Sequence, residues 1–319
     1  MNSESKKMKV ITLDYPISAP ITTKKVILTL GFFDGVHIGH QKLIKDAKLI
    51  AEQKNLPLMV MTFDKHPKEI YKNDHKFVYL ETEQEKERKM EKLGVDYLVI
   101  IKFTKEFSQL TPQDFVDQVV IKLKADTVVV GFDYTYGPKD IANVENLPQF
   151  AKDRFKIVVE PKQAIDKIKV GSTYIRKAIQ HGNVELAAEL LGQPYETSGV
   201  IVHGFRRGHK IGFPTANLEI SGSKVLPAEG VYATRAKING KWHDAMTSVG
   251  YNETFKTNHG LTIETNIFDF DEEAYGEPLT LAWYKFIRKN KKFSGIEELS
   301  HQLDQDKRDI KQYFYELEN

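Results

Sequence analysis

"GFFDGVHIGH", residues 31–40, follows an apolar run of strand length, "VILTL" (26–30), and precedes "QKLIKDAKLIAEQKN" (41–55). In the latter, Leu43, Ile44, Ala47, Ile50 and Ala51 recur at helical spacing. The stretch therefore lies where a strand hands over to a helix. Further apolar runs read as strands at 58–63, 97–101, 127–131 and 157–160, with helical patterns between several of them. One helix starts at "TPQDF", with Thr111 as N-cap, Pro112 at the first helical position and Asp114 at the third. Strands alternating with helices predict an α/β fold with a doubly wound parallel sheet, whose ligands bind outside the carboxyl ends of the strands. The quoted stretch lies at such an end.

From Ser198 onward the text changes character. Two short helical segments, "STYIRKAIQHG" and "NVELAAELLGQP", close on Gly182 and Gly192, and strand-like text follows: "SGVIVHG", "GVYATRAKINGKWHDAMTSVG", "LTIETNIFDF" and "LTLAWYKFI". Asn239-Gly240 reads as a hairpin turn. This is a compact antiparallel unit, expected to be a small β-barrel. A helix closes it through Leu299, Leu303, Ile310 and Phe314, with "SGIE" from Ser294 as a capping box. The expected domains are 1–190 and 191–319, with the junction near Pro194. The mixed-charge "ETEQEKERKMEK" (81–92) reads as a solvated helix face.

Composition narrows the function classes. Two domains suit 319 residues, and the 41% hydrophobic fraction provides a large core. Zero cysteines exclude a disulfide framework, thiolate catalysis and thiolate metal sites, and suit a reducing compartment. With 46 basic against 44 acidic residues, the charge excess does not indicate nucleic-acid binding. The N-terminus lacks the apolar core of a signal peptide, and no apolar run is long enough to cross a bilayer. The expectation is a cytoplasmic protein with small-molecule partners, no nucleic acid and no membrane; nothing in the sequence speaks to oligomeric state.

The first turn of a helix offers unpaired N–H groups and a positive dipole end, which suit phosphate oxygens. Two imidazoles three apart there can face one ligand. A pair of surface histidines is the plainer alternative, but chance alone yields about 0.02 His-x-Gly-His matches in a chain of this composition. The string resembles the His-x-Gly-His nucleotidylyltransferases, and its longer form resembles the flavin-adenylylating branch. "TFDKHP" (62–67), "VVVGFDYTYG" (128–137) and "GSTYIRKAI" (171–179) extend the resemblance. It implies that ATP lies over Gly31, Phe33, Asp34, Gly35, His37 and His40, that His66 assists, and that Ser172, Thr173 and Arg176 hold phosphate oxygens. Asp133 would lie near FMN or the nucleotide. On spacing alone Ser172 suits an N-cap and Asp133 a turn.

"GFRRGHKIGFPTANL" (204–218) raises a second site. It has no Gly-Lys-Ser/Thr and is not a Walker A loop. Gly204, Gly208 and Gly212 let backbone bend close to a ligand, and Arg206, Arg207 and Lys210 supply charge. An extended Thr215 and Asn217 would point to one side, two neutral oxygens suited to a hard cation such as Mg²⁺; a glycine-rich turn before an exposed polar strand is the alternative. "GFPTAN", with Pro214 at its centre, resembles riboflavin kinase. The two resemblances, in this order, match the bacterial bifunctional riboflavin kinase/FAD synthetase family over nearly the whole chain. The resemblance implies two ATP-dependent steps, riboflavin to FMN and FMN to FAD, with Thr215 and Asn217 on Mg-ATP and Glu264 as base on the ribityl 5′-hydroxyl. Alternation puts Glu264 with Phe268 and Phe270, opposite Leu261, Ile263 and Ile267. The chain departs from the family at Glu253, where proline is usual, and in the loop "YGPKDIANVEN", which is less basic and lacks the usual further glycine. Other readings are an FAD synthetase with a weak kinase-like module, a flavin-sensing regulator, or a transferase acting on another phosphorylated substrate.

Overall fold

The computed structural model describes residues 7–18, 21–71, 77–162, 164–165, 168–203, 212–220, 222–251 and 261–319. The chain divides into two compact units. The first comprises residues 1–77 and 82–171, and the second Val78–Glu81 with Ser172–Asn319.

The first unit runs β1 (Lys9–Leu13), β2 (Val26–Leu30), α1 (Ile38–Lys54), β3 (Leu58–Phe63), α2 (Pro67–Tyr71), α3 (Glu83–Lys92), β4 (Tyr97–Ile101), α4 (Lys105–Ser108) and α5 (Pro112–Phe115). It continues through a π-helical turn, Val116–Val120, to β5 (Ala125–Gly131), α6 (Leu147–Ala151), β6 (Lys156–Glu160) and a small hairpin of β7 (Ala164–Ile165) and β8 (Ile168–Lys169). Among the described residues the main sheet has six strands in the order β1-β4-β3-β2-β5-β6, every pair parallel. Strand order reverses at β2, so the crevice beside the carboxyl ends of β2 and β5 is the topological switch point.

Helices cover both faces, which is why the central strands read as unbroken apolar runs. Ile27, Leu58, Val60, Leu98, Ile100 and Val129 pack against Leu43, Ile44, Ala47 and Ala51 of α1. On the other face, Leu28, Met59, Met61, Val99 and Val128 meet Phe107, Phe115, Val116 and Val120. Each fully buried side chain of this size contributes about 1.5–3 kcal/mol. Thr111 caps α5 as expected, accepting from the Asp114 N–H. The strands expected from sequence are present, and β1 is an addition. The expectation for residues 81–92 is corrected: Glu85, Lys86 and Met90 are buried, because α3 lays one face on the sheet unit's core.

The second unit contains α7 (Ser172–Gln180), α8 (Val184–Leu191), β9 (Tyr195–Val202), β10 (Ala216–Ile220), β11 (Gly230–Ile238), β12 (Lys241–Tyr251), β13 (Leu261–Ile267), β14 (Pro278–Arg288) and α9 (Ile296–Glu318). Among the described residues six antiparallel strands close into a barrel, β10-β13-β12-β11-β14-β9. Asn239 and Gly240 both take positive φ, 50° and 79°, as the expected hairpin requires. Threonines 234, 247 and 265 form a buried hydroxyl ladder (2.7 and 3.0 Å), and Trp283 Nε1 donates to Thr197 Oγ1 at 3.0 Å. The other side of the wall, with Val231, Ala233, Met246 and Phe268, packs on Ile310 and Phe314 of α9. The start of α9 differs from expectation. Gly295 is the N-cap, and Ser294 N–H and Oγ–H both donate to Glu298 rather than Glu297, because the helix begins one residue later. Helix α8 packs on β9 and β14 within this unit.

Candidate active sites

At the switch point the chain leaves β2 through a strained turn. Phe33, Gly35 and Val36 have φ of 56°, 83° and 41°. For Phe33 and Val36 such conformations cost on the order of 1–3 kcal/mol each and persist only where the surroundings enforce them. The Phe33 ring folds over Gly31, where a Cβ would lie 2.9 Å from it, so any side chain there would have to displace that ring. Phe33 and Asp34 are buried.

His37 is the N-cap of α1, and its Nδ1 accepts the His40 N–H at 3.2 Å. That bond fixes the proton of the neutral ring on Nε2, making Nε2–H a donor. The two imidazoles stack with centroids 3.5 Å apart, and Phe33 meets His40 edge-on at 5.1 Å. Burial pushes the His37 pKa from 6.5 down to about 4, against the opposing pull of its backbone hydrogen bond and of the Asp133 carboxylate. Burial also holds His40 well below its usual range, aided by His37 and by the Lys86 ammonium. Both rings are therefore neutral donors at pH 7. His66 stacks on Phe77 at 4.2 Å and meets Phe32 edge-on at 4.8 Å, while its Nδ1 accepts the Lys68 N–H. Asp133, after β5, is exposed.

Ser172, Thr173 and Arg176 lie in the second unit, at the start of α7. Ser172 is the first helical residue, one later than the expected N-cap, since Gly171 takes the flanking position. Thr173 is exposed. Arg176 is buried, with Nε donating to the Val78 carbonyl at 2.8 Å.

The barrel carries a separate cavity of about 560 Å³, formed where α9 crosses the open side of the wall. Thr215 and Glu264 line it, as do Ser248, Asn266, Arg288 and Asn290, which sequence reading did not single out. Asn217 pairs in register with Glu264, and Glu264 with Ser248, so the three form a row across β10, β13 and β12 on one face. Asn266 Nδ2 donates to the Pro214 carbonyl at 2.7 Å and thereby holds the "PTAN" backbone against β13. Phe213, Met246, Phe293, Leu299 and Leu303 supply an apolar lining. Arg288 forks onto Asp306, with Nε and Nη2 at 2.9 and 2.7 Å from Oδ2, and Gln302 donates to the other oxygen. This clamp ties α9 to β14.

One expected neighbour of Glu264 is corrected. The strand ends at Ile267 and Asp269 turns at φ 55°, so Phe270 leaves the face and meets His243 edge-on instead. Phe268 is buried against α9, and Ile263 and Thr265 on the opposite face are buried as well. Gly212 precedes the "PTAN" segment at φ 82°. Gly204, Arg206, Arg207, Gly208, Lys210 and Glu253 fall outside the described residues. Among the described residues no three His, Cys, Asp or Glu side chains gather as a metal site.

Family models match both regions, FAD synthetase over residues 19–174 and riboflavin kinase over 191–314. A bifunctional riboflavin kinase/FMN adenylyltransferase of Listeria monocytogenes is 45% identical over 98% of this chain and 100% of its own length. The chain belongs to this family. The Bacillus subtilis member is 42% identical over 92% of this chain and 94% of its own. A crystal structure described as a macrolide-efflux protein from Streptococcus pneumoniae superposes with a TM-score of 0.88 at 36% identity, covering 94% of this chain and 99% of that one. No helix among the described residues of this flavin-enzyme family member is long and apolar enough to cross a membrane.

Proposed function

We propose that this protein phosphorylates riboflavin to FMN with ATP, then adenylylates FMN to FAD with release of pyrophosphate. The observation that carries the reading is end-to-end similarity to bifunctional relatives, together with two separately built sites of different architecture. We assign adenylyl transfer to residues 1–190 and the kinase to 191–319.

In the adenylyl transfer, an FMN phosphate oxygen attacks the α-phosphorus of ATP, and the bond to the departing pyrophosphate breaks. No covalent enzyme nucleophile is needed, so an enzyme without cysteine loses nothing. The amino end of α1 and the turn from Gly31 to Gly35 receive phosphate oxygens, and neutral His37 and His40 donate to them. An arriving polyanion raises both imidazole pKa values, so the rings can take on positive charge as charge builds on the leaving group. His66 assists from the loop after β3, Ser172, Thr173 and Arg176 hold phosphate oxygens, and Asp133 lies near the flavin or nucleotide.

In the kinase step, Glu264 removes the proton of the ribityl 5′-hydroxyl as that oxygen attacks the γ-phosphorus and the bond to the departing ADP breaks. The apolar lining under α9 suits an isoalloxazine ring, with the polar row toward the reacting end. The donor set at this row consists of hard oxygens, Thr215 and Asn217 beside the Glu264 carboxylate, which fits Mg²⁺ better than a softer metal. Thr215 and Asn217 would hold that ion with the ATP phosphates. When bound, it neutralises phosphate charge during transfer. Gly204, Gly208, Lys210 and Gly212 belong to the segment expected to wrap the nucleotide.

Incubation with Mg-ATP and either riboflavin or FMN, followed by separation of the flavins, tests the proposal. FMN and then FAD are expected from riboflavin, and FAD from supplied FMN. FAD from FMN without any FMN from riboflavin would reduce the protein to an FAD synthetase with a disabled kinase module.

A further inference from the structure

The strained turn between β2 and α1 has to be held from outside, and its carbonyls show what holds it. Within the turn, Val36 N–H donates to Phe33 O at 3.2 Å, and Gln41 Nε2 to Val36 O at 2.9 Å. Thr62 Oγ1, from β3, donates to Phe32 O at 2.9 Å. Two further ties come from α3. Lys86 Nζ donates to the same Phe32 carbonyl at 2.9 Å while sitting 4.4 Å over the Phe32 ring, and Lys89 Nζ donates to Gly35 O at 3.2 Å. Lys86 is only 8% exposed, unusual for a lysine. The two lysines are three apart, so one face of α3 presents both. A reciprocal capping box, Thr82 with Glu85, fixes the start of that helix, and Met90, 0% exposed, anchors it in the core.

We propose that Lys86 and Lys89 are positioning residues for adenylyl transfer: from α3 they pin the carbonyls of the strained turn and so fix the aim of His37 and His40. The proposal rests on the reading of this turn as the adenylyl-transfer site. Ammonium donors suit the task for two reasons. A charged hydrogen bond is stronger than a neutral one, and two cations behind the turn favour the polyanion in front of it. The groups that bear on His40 are His37 from its own helix and Lys86 from α3, while Asp133 from the loop after β5 bears on His37. After burial and His37, the Lys86 ammonium adds to what lowers the His40 pKa.

The test uses the full chain with Lys86→Met, Lys86→Arg, Lys89→Met and Lys89→Arg. Lys86→Met should lower kcat for FAD synthesis by roughly 10- to 100-fold, as expected for losing a charged hydrogen bond to a half-buried carbonyl. KM for ATP should change less, and riboflavin phosphorylation should stay within about twofold, because the groups assigned to that step, Thr215, Asn217 and Glu264, belong to the other unit. Lys86→Arg should recover most of the loss, and Lys89→Met should show a smaller one. Amide hydrogen exchange over residues 31–40, which requires no turnover, should be about tenfold faster in Lys86→Met. Wild-type kcat together with wild-type exchange in Lys86→Met would overturn the proposal. If that variant does not fold, Lys89→Met decides: unchanged exchange and kcat overturn the proposal, and a loss restored by Lys89→Arg supports it. A wild-type protein that makes no FAD at all defeats the functional reading instead, and the exchange measurement still judges the lysines.

Discussion

The sheet unit and the barrel unit prepare for phosphate chemistry by opposite means. At the switch point the proposed phosphate-binding groups sit on a turn and a helix start, where backbone N–H groups and a dipole suit an anion and the strands serve only as a frame. On the barrel the groups sit on the strands themselves, in the register row of Asn217, Glu264 and Ser248, and a helix closes the space above them. The sheet site depends on an enforced backbone conformation; the barrel site depends on side-chain alternation and on the placement of α9. Substitutions should therefore separate the two.

The largest expected effect is at Glu264. Glu264→Gln keeps shape and removes the basic carboxylate, so FMN formation should fall by roughly 10² to 10⁴ while FAD formation from supplied FMN persists. Assay of both substrates checks this; equal phosphorylation by the variant would break the assignment of the barrel row.

Next comes the clamp that holds α9. Asp306→Ala leaves the Arg288 guanidinium facing a lost carboxylate in a site where Asp306 is 1% exposed, and should cost about 3–5 kcal/mol. Denaturant unfolding should show the loss in the barrel unit, with kinase activity falling alongside. A normal midpoint would mean that α9 is held by its apolar contacts alone.

Acid should act on the sheet unit. The His37 imidazole titrates at its ordinary 6.5 when unfolded and at about 4 when folded. Between these values the unfolded chain binds more protons, so stability is lost as pH falls through that window, by about 3 kcal/mol in total from this residue. Unfolding midpoints of wild type and His37→Asn between pH 7 and 4 measure it, since the variant should lose that slope.

The smallest of the four effects is expected at the histidines as donors. His40→Ala should reduce FAD synthesis about 10²-fold and leave riboflavin phosphorylation intact. His37→Asn retains a capping oxygen for the His40 N–H but loses the Nε2–H donor, whereas His37→Ala loses both. If the two His37 variants have the same activity but differ in stability by about 1 kcal/mol, cap and donor are separable roles of one side chain. Equal activity to wild type in His37→Asn would leave only the cap.

Several features were legible in the linear text because they depend on local chemistry or on burial that writes itself into composition. Strands buried on both faces appear as apolar runs, so β2, β3, β4 and β5 could be read directly, while the edge strand β6, "KIVVE", was legible from its β-branched run although its residues are exposed or half-buried. The edge strand β1, "KVITL", is largely exposed and carries no such signal. The helix start at Thr111, the positive-φ hairpin at Asn239-Gly240 and the two-histidine turn all follow from residue type at fixed spacing.

Tertiary structure decided what distant segments do to one another. A charge-rich helix is solvated unless something covers it, and only the packing of α3 shows that Lys86 is buried on the carbonyl of Phe32, 54 residues away. Alternation along β13 defines two faces but not their surroundings; closure of the barrel and the crossing of α9 place Glu264 on a cavity and Ile263 in the core. Asn266 and Arg288 have no motif around them, because their roles arise from partners at Pro214 and Asp306 that sequence spacing does not bring near. The sequence by itself determined the element types and the chemistry at each turn. Which charges are desolvated, and against what, is a property of the folded neighbourhood, because burial is a relation among segments that no single segment encodes.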